Sequence, residues 1–311
     1  MGLPGFRAGE FFFEHEKDET VSGEEDRTPA GEGRPAAPVL IALRDVSYRY
    51  ALPGGGERAA LDGVSLSLRR GERIVVLGAA GSGKTTLACL LAGLFEPAGG
   101  AVERGSLLQD HGGRCLAAGL VTQNPEDTFT SPVVREEMGM VLQNLSWEDG
   151  KIDGAVDSML EETGLGEYAD SPPALLSGGQ KQLLALASIL IADPSLLILD
   201  EPLSLLDPRG REEVSSLISG KGHGGERSLI YLSSEVEDAL IADRVAVLLR
   251  GKMVWEGPGG DLPVDEKSLS AWGLVPPDLS RVFSLLFPGR VSGRGGLWRP
   301  RELAEFLCRY D

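Results

Sequence analysis

Residues 73–95 read RIVVLGAAGSGKTTLACLLAGLF, and this stretch decides the fold. Its first five residues are a continuous apolar run with β-branched side chains, which is typical of a strand buried on both faces. Residues 78–86, GAAGSGKTT, contain the pattern G-x-x-x-x-G-K-[ST], and a helical pattern follows directly. A strand, a glycine-rich loop and a helix in this order bring backbone N–H groups together at a helix N-terminus, where they attract an anion.

The loop predicts a site for a nucleoside triphosphate. Glycines let the backbone approach the β- and γ-phosphates without Cβ clashes. We expect Lys84 to neutralise phosphate oxygens and the Thr85 hydroxyl to ligate Mg²⁺. The alternative is a glycine-rich turn without a ligand, but the strand before the loop and the helix after it favour the phosphate site. The residues expected to bind the nucleotide here are Gly78, Ala79, Ala80, Gly81, Ser82, Gly83, Lys84, Thr85 and Thr86.

Further apolar runs alternate with helical patterns along the chain. The predicted strands cover residues 39–50, 61–68, 73–77, 195–200, 228–233 and 244–249. Strands that alternate with helices favour an α/β core with a mostly parallel sheet. The first two runs alternate apolar and polar residues around a turn, so we expect antiparallel strands in addition.

The remaining regions differ from this core domain, which is expected over residues 39–262. Residues 1–38 are rich in Glu, Gly, Pro and Asp with little periodicity, which indicates a disordered acidic tail. Residues 126–175 show helical patterns and are interpreted as an inserted helical subdomain. Residues 263–311 are expected to form a C-terminal segment of short helices around a glycine-rich turn.

The composition of the chain restricts the partners and the cellular setting that we expect for it. The chain has 311 residues and a formal net charge of −17, without the excess of Lys and Arg that phosphate neutralisation needs, so we expect no nucleic-acid partner. The three cysteines are scattered without ligand spacing, which indicates reduced thiols in a cytoplasmic protein. No run approaches the roughly 18 apolar residues of a membrane-spanning helix. We therefore expect that the chain does not itself cross a membrane.

A second chemical motif is LLILDEP at residues 196–202. The apolar run predicts a strand, and Asp200 at its C-terminal end is placed to hold Mg²⁺. Glu201, the next residue, is placed to orient or deprotonate an attacking water. Phosphoryl transfer asks mainly for positioning and charge neutralisation, which adjacent carboxylates and Mg²⁺ supply. Read alone, two acids after a strand indicate a turn; together with the phosphate-binding loop they indicate catalysis.

A third motif is LLSGGQKQ at residues 175–182. Ser177 is a good helix N-cap, and Gly178 and Gly179 expose backbone N–H groups at that N-terminus. A second phosphate site so far along the chain suggests a nucleotide held between two subunits.

With these motifs the chain resembles the ATP-binding-cassette (ABC) ATPase family over residues 40–262. The resemblance implies that Tyr50 stacks on adenine, although a strand aromatic in the core is the alternative. It also implies that Gln123 touches Mg²⁺ and the attacking water while sensing a membrane partner. The signature residues Ser177, Gly178, Gly179 and Gln180 would close over the ATP of the opposite subunit, and Asp207 would link the two sites.

One departure from this family concerns YLSSEVEDALIADRV at residues 231–245. The first half predicts the end of a buried strand and the second half the start of an amphipathic helix. In the family this junction carries a Thr-His pair whose histidine contacts the γ-phosphate, and alignment places that histidine at Ser234. A serine hydroxyl cannot carry charge or reach as far as an imidazole. We therefore expect Ser234 to leave the chain's own site slow.

Two other stretches resemble the energy-coupling factor (ECF) branch, whose ATPases drive uptake of vitamins, cobalt or nickel. One is QNPEDTFTSPVVREEMGMVLQN at residues 123–144, where Thr128 departs from the branch's usual glutamine. The other is the C-terminal segment, which resembles the branch's dimerisation helices; helices that simply pack on the core are the alternative. Leu183 departs from the basic residue usual after the signature.

Three functions follow from these resemblances. The first is the ATP-hydrolysing subunit of an importer, peripheral at the cytoplasmic face of the membrane, with an integral membrane coupling protein and a substrate-binding membrane subunit as partners. The second is a mainly regulatory subunit that completes a partner's site. The third, a soluble non-transport ABC ATPase, is disfavoured because no coiled-coil or zinc insertion is found. A second ABC ATPase is expected in every case, with an asymmetric heterodimer favoured over a slow homodimer.

Overall fold

The computed structural model describes residues 37–52, 54–108, 117–204, 206–219, 227–286 and 308. Its strands in these ranges are β1 Val39–Ala51, β2 Glu57–Arg69, β3 Arg73–Leu77, β4 Gly99–Arg104, β5 Ala118–Val121, β6 Leu196–Asp200, β7 Ser228–Ser233, β8 Arg244–Leu249 and β9 Lys252–Pro258. The α-helices are α1 Lys84–Ala92, α2 Val134–Asn144, α3 Asp149–Thr163, α4 Gly178–Leu190, α5 Pro208–Ser219, α6 Glu266–Ala271 and α7 Asp278–Leu286. The expected acidic tail, 1–38, lies almost wholly outside the described residues.

Two sheets organise the described residues. The larger has the strand order β5-β6-β7-β3-β8-β9, in which every neighbouring pair is parallel except the antiparallel pair of β8 and β9. The smaller is antiparallel with the order β2-β1-β4. This confirms the predicted α/β class with its mostly parallel sheet and added antiparallel strands.

The central strands are apolar on both faces because both faces of the large sheet are covered. In β3, Ile74 and Val76 pack on the side that holds helix α1 and the small sheet, while Val75 and Leu77 pack on the side that holds helices α2 to α4. The carboxyl ends of β3, β6 and β7 meet at one edge of this sheet. Binding residues in such folds lie at this edge.

The predicted helical insertion contains α2 and α3, which pack against each other and against α4. After β7 the chain forms a 3₁₀-helix, Val236–Ile241, where the sequence pattern predicted an amphipathic helix. Beyond residue 262, Leu269 and Leu274 are buried in the same core as the large sheet. Among the described residues, no helix combines the length and apolar character that a membrane crossing requires.

Candidate nucleotide-binding site

The glycine-rich loop lies between the end of β3 and helix α1. Gly78 continues the sheet, since its N–H donates to the carbonyl of Ser233 at the end of β7 (3.0 Å). Gly83 precedes the helix with a φ of 113°, and a Cβ atom there would lie 2.7 Å from the Ala60 carbonyl oxygen. Only glycine fits this position. The first N–H groups of α1 have no carbonyl partner within the helix and are available to a phosphate.

Lys84 extends back over this loop. Its Nζ donates to the carbonyl oxygens of Gly78 (2.6 Å) and Ala79 (3.2 Å). It also forms an ion pair with Glu201, 3.0 Å from Oε1, in which the two side chains are only 6% and 16% exposed. The ammonium group therefore lies where a phosphate would arrive, and the predicted catalytic carboxylate neutralises it.

Thr85 and Asp200 come together as the metal prediction requires. The Thr85 hydroxyl donates to Oδ2 of Asp200 at 2.6 Å, across the ends of α1 and β6. Burial raises the pKa of the Asp200 carboxyl above its usual range, and the bond from Thr85 opposes that shift. A hydroxyl and a carboxylate are oxygen ligands that suit Mg²⁺. No group of three or more His, Cys, Asp or Glu side chains in the described ranges could hold a metal ion. Mg²⁺ is commonly bound through one or two protein oxygens together with substrate phosphates and water.

Glu201 adopts a strained backbone conformation at the end of β6. Its φ is 50°, which is uncommon for a residue with a side chain, and its N–H donates to the carbonyl of Leu232 on β7 at 2.9 Å. The Gln123 amide nitrogen lies 3.3 Å from Oε2 of Glu201. Gln123, Lys84 and Glu201 thus form one contact set, as expected of residues that would surround a terminal phosphate.

Tyr50 is close to the loop at the end of β1. Its hydroxyl lies 3.0 Å from the Thr86 hydroxyl, and its ring makes an edge contact with Tyr48, which stacks on Phe95. The side chain is 39% exposed, so part of the ring is available to a ligand. The buried-core alternative for Tyr50 does not fit this exposure.

The signature residues form a helix start away from these contacts. Ser177 caps α4 by accepting from the Gln180 N–H (3.3 Å), and its own N–H donates to the Gln180 side chain (2.9 Å). This capping box satisfies two of the backbone N–H groups at the N-terminus of α4. Among the described residues, a Cβ atom at Gly178 would meet nothing within 4 Å. Neither local packing nor backbone conformation requires glycine at position 178. A glycine there leaves room for a group that approaches from outside the chain.

Asp207 and Ser234 lie on the two segments that follow β6 and β7. Asp207 accepts the N–H of Gly210 through Oδ1 at 2.8 Å and so caps the start of α5. Ser234 is exposed and borders a small cavity of about 10 Å³ that Glu201 also lines. The structure therefore brings Ser234 next to Glu201, although Ser234 carries no charge of its own.

Four residues of this region were not predicted as functional. Arg211 binds Glu235 through both terminal guanidinium nitrogens, at 2.6 and 2.8 Å. The Ser233 hydroxyl donates to Asp238 at 2.5 Å, and burial raises the pKa of Asp238 to about 6. The only sequence signal was the run of acids after β7, which a solvated surface explains equally well. Their partners are visible only in three dimensions.

The fold, the glycine-rich loop, the paired acids at the end of β6 and the signature at the start of α4 together are those of an ABC-type ATPase. A family model described as "ABC transporter" matches residues 61–204. The energy-coupling factor transporter ATP-binding protein EcfA of Pediococcus pentosaceus is 33% identical over 274 residues, 87% of this chain and 97% of that protein. The EcfA protein of Methanosarcina acetivorans is 36% identical over 279 residues, 87% of this chain and 98% of that protein.

Solved structures agree with this assignment. CbiO1 from Clostridium perfringens, described as part of the ABC transporter complex CbiONQ, superposes with a TM-score of 0.61 at 26% identity. The match covers 80% of this chain and 96% of CbiO1. A dimeric ATP-binding cassette, MJ0796, in a post-hydrolysis state with ADP and Pi, matches with a TM-score of 0.62 at 22% identity over 70% of this chain and 98% of that chain, which shows the fold alone.

The chain belongs to the ABC transporter ATP-binding family, whose members bind and hydrolyse ATP. Within it, the chain is an ATPase subunit of the energy-coupling factor type, as its similarity to the EcfA proteins shows.

Proposed function

We propose that this chain binds ATP with Mg²⁺ and couples its hydrolysis to uptake of a vitamin or metal ion through membrane partners. The observation that carries the proposal is the contact set of Lys84, Glu201 and Gln123 beside Thr85 and Asp200. Lys84 and the first N–H groups of α1 bind the phosphates. Thr85 and Asp200 hold Mg²⁺, which supplies charge neutralisation at the phosphate oxygens. Glu201 orients and deprotonates the attacking water, and Gln123 helps to hold that water.

Hydrolysis at this chain's own site is proposed to be slow. Ser234 borders the same cavity as Glu201, but its hydroxyl cannot supply the positive charge of an imidazolium. Losing one preorganised charge-stabilising contact lowers turnover on the order of 100- to 1000-fold. Glu201 is present, so the site keeps a group that can activate water.

The signature residues are proposed to serve the ATP of a second ATPase subunit. Gly178 has open space around its Cβ position, so the N-terminus of α4 is accessible to a nucleotide presented from outside. An asymmetric heterodimer follows, in which this chain completes a competent partner site. The second candidate function, a mainly regulatory subunit, differs only in whether the site of Glu201 contributes to transport.

The membrane coupling protein is proposed to dock on a groove between the segment after β5, α2 and α4. This groove has a volume of about 200 Å³ and is lined by residues such as Phe129, Met140 and Ile189. Glu137, which is 8% exposed, also lines it and accepts the N–H groups of Thr130 and Ser131 at 2.9 and 2.8 Å. A helix docked here would lie next to the segment that carries Gln123. Such docking would hold the chain at the cytoplasmic face of the membrane, next to a substrate-binding membrane subunit.

Helix α7 is proposed to contact a second ATPase subunit. Val282, Leu285 and Leu286 are 43%, 81% and 54% exposed, whereas Phe283 on the same helix is buried. The second short helix expected from the sequence would have its own apolar face at Leu303, Phe306 and Leu307, which lie outside the described residues. Because Leu269 and Leu274 belong to the main core, removal of all of 263–311 would also open that core.

Three substitutions test the asymmetric arrangement, one in the isolated chain and two in the assembled transporter. Ser234→His is expected to raise the ATPase rate of the isolated chain, because it restores a group that can carry charge. Ser177→Arg is expected to reduce transport by the partnered assembly more than Glu201→Gln does. If Glu201→Gln abolishes transport while Ser177→Arg spares it, the hydrolysing site is this chain's own and the role given to Ser234 is wrong.

A further inference from the structure

Two segments meet next to Glu201. The first, residues 201–207, connects β6 to α5 and contains Glu201 and Asp207. The second, residues 233–238, follows β7 and contains Ser234. Their relative position decides how far Ser234 lies from Glu201. Apart from Ser233, the last residue of β7, and the 3₁₀-helix that starts at Val236, the described residues of the two segments lie in no helix or strand.

The two segments are joined at one end by the sheet. The N–H of Glu201 donates to the carbonyl of Leu232 at 2.9 Å, just before Ser233. Within the first segment, the Ser204 hydroxyl donates to the carbonyl of Glu201 at 2.9 Å, so the chain turns tightly after β6. These bonds fix where the segments begin, not where Ser234 lies.

Arg211 joins the segments at the other end. Its Nη1 and Nη2 donate to the two carboxylate oxygens of Glu235, at 2.6 and 2.8 Å, and Glu235 directly follows Ser234. Its Nε donates to the carbonyl of Leu206 at 3.3 Å, inside the first segment. Arg211 therefore bridges the end of the first segment and the middle of the second.

The electrostatics favour this particular pairing. Arg211 holds the pKa of the Glu235 carboxyl below its usual range, and the carboxylate raises the pKa of the guanidinium. Asp238 accepts a hydrogen bond from the Ser233 hydroxyl. It therefore adds a carboxyl group near Arg211 and helps to fix the second segment. Glu237 adds a further negative charge, and its own pKa is raised by burial. The segment thus carries three acids that face the single guanidinium of Arg211.

Glu235, the carboxylate partner in this bridge, also lines the small cavity that Glu201 and Ser234 share. Tyr231 also lines it, with a side chain that is 1% exposed and a hydroxyl that has no hydrogen-bond partner among the described atoms. A cavity of about 10 Å³ is close to the size that one water molecule needs, and polar groups surround it. The arrangement of these groups changes if the second segment shifts.

We propose that Arg211 is a positioning residue for ATP hydrolysis, which holds together the two segments beside Glu201 through its two bonds to Glu235 and its bond to the carbonyl of Leu206. This inference rests on the proposed function, because it assumes that Glu201 acts on ATP. Both side chains are over one-third exposed (35% and 39%), and ion pairs this exposed contribute little to stability. The planar guanidinium fixes the orientation of the carboxylate, however, and small displacements in an active site lower rates strongly.

The test is a double-mutant cycle on the full-length chain. Arg211→Gln, Glu235→Gln and the double variant are compared in steady-state hydrolysis, with kcat and KM from the dependence of the rate on Mg-ATP concentration. Each single variant is expected to lower the rate constant about tenfold with little change in KM. The double variant should be no slower than the slower single variant, because both substitutions break the same contact. Arg211→Lys keeps the charge without the two-pronged geometry and should fall between wild type and Arg211→Gln.

The matched control is Glu256→Gln. Glu256 pairs with Arg244 at 2.7 Å with similar exposure (25% and 35%), on β8 and β9. Its hydrolysis rate should match wild type, and thermal unfolding should show all variants folded at the assay temperature. Single variants within twofold of wild type, or a double variant with the product of the two losses, would overturn the inference. If the wild-type chain hydrolyses no ATP alone or with a partner ATPase, the proposed function itself fails, and this result is seen before any variant is compared.

Discussion

Glu201→Gln is expected to tighten ATP binding while it slows hydrolysis. The Glu201 carboxylate lies 3.0 Å from the Lys84 ammonium, and both side chains are nearly buried. Coulomb's law at that distance with an effective dielectric constant of about 20 gives an attraction of about 5 kcal/mol. An arriving phosphate must replace this attraction, so Glu201 competes with ATP for the same cation.

Only a part of that energy should appear in the affinity. Lys84 also donates to the carbonyls of Gly78 and Ala79, and a glutamine at position 201 can still accept a hydrogen bond. We expect a net gain of about 1–2 kcal/mol in the glutamine variant, which corresponds to roughly 5- to 30-fold tighter binding. Loss of the catalytic base should lower hydrolysis on the order of 100-fold or more.

Calorimetric titration with Mg²⁺ and a non-hydrolysable ATP analogue measures the affinity without turnover. Glu256→Gln, which removes a carboxylate from an ion pair outside the site, is the control and should bind like wild type. Equal or weaker binding by Glu201→Gln would refute the competition between the carboxylate and the phosphate for Lys84.

Three further predictions follow from other parts of the structure. Lys84→Ala should remove most Mg-ATP affinity, and unchanged binding by calorimetry would contradict the loop assignment. The pKa of Asp238 is raised to about 6 from an ordinary value of 3.8. Between about pH 4 and 6 the folded state therefore holds a proton that the unfolded state has lost. The contribution of this group to stability falls as pH rises through that window. Asp238→Asn, which can still accept from Ser233, should therefore gain on the order of 1–3 kcal/mol over wild type at pH 8, and denaturant unfolding should show no gain near pH 4. Leu285→Ser should weaken self-association in sedimentation, whereas the same change at Val254, exposed on β9, should not; equal effects would argue against a contact through α7.

Much of the core was predictable because its strands are buried on both faces. The runs that form β3, β6, β7 and β8 are almost wholly apolar and lie next to glycine or acidic residues that mark their ends. The sequence analysis did not identify β4, in which every residue is exposed or half-buried, β5, which has only four residues, or β9, in which exposed and half-buried positions alternate around a glycine. None of the three has the long apolar run on which the prediction depended.

Individual site residues were predictable where a motif spacing reflects one local structure. The loop before α1 is one local turn, and Asp200 and Glu201 are neighbours at the end of β6. Their side chains were therefore expected at the same sheet edge. The bond between Arg211 and Glu235 spans 24 positions, and no periodicity connects the two residues. Tyr231 looked like any aromatic in a buried strand, since a sequence does not show whether a hydroxyl finds a partner.

The same geometry explains how nucleotide binding and control of hydrolysis are joined in this site. Among the described residues, the Glu201 carboxylate contacts the cation of Lys84 and the amide of Gln123. A phosphate that takes Lys84 leaves Glu201 with Gln123 alone, and Ser234 offers no charge to replace the lost cation. The orientation of the carboxylate then depends on Gln123 and on the strained backbone at Glu201, whose position follows that of β7 through the bond to Leu232. Because the proposed membrane partner docks beside Gln123, its engagement would act on the one side chain that still holds Glu201 after ATP has bound.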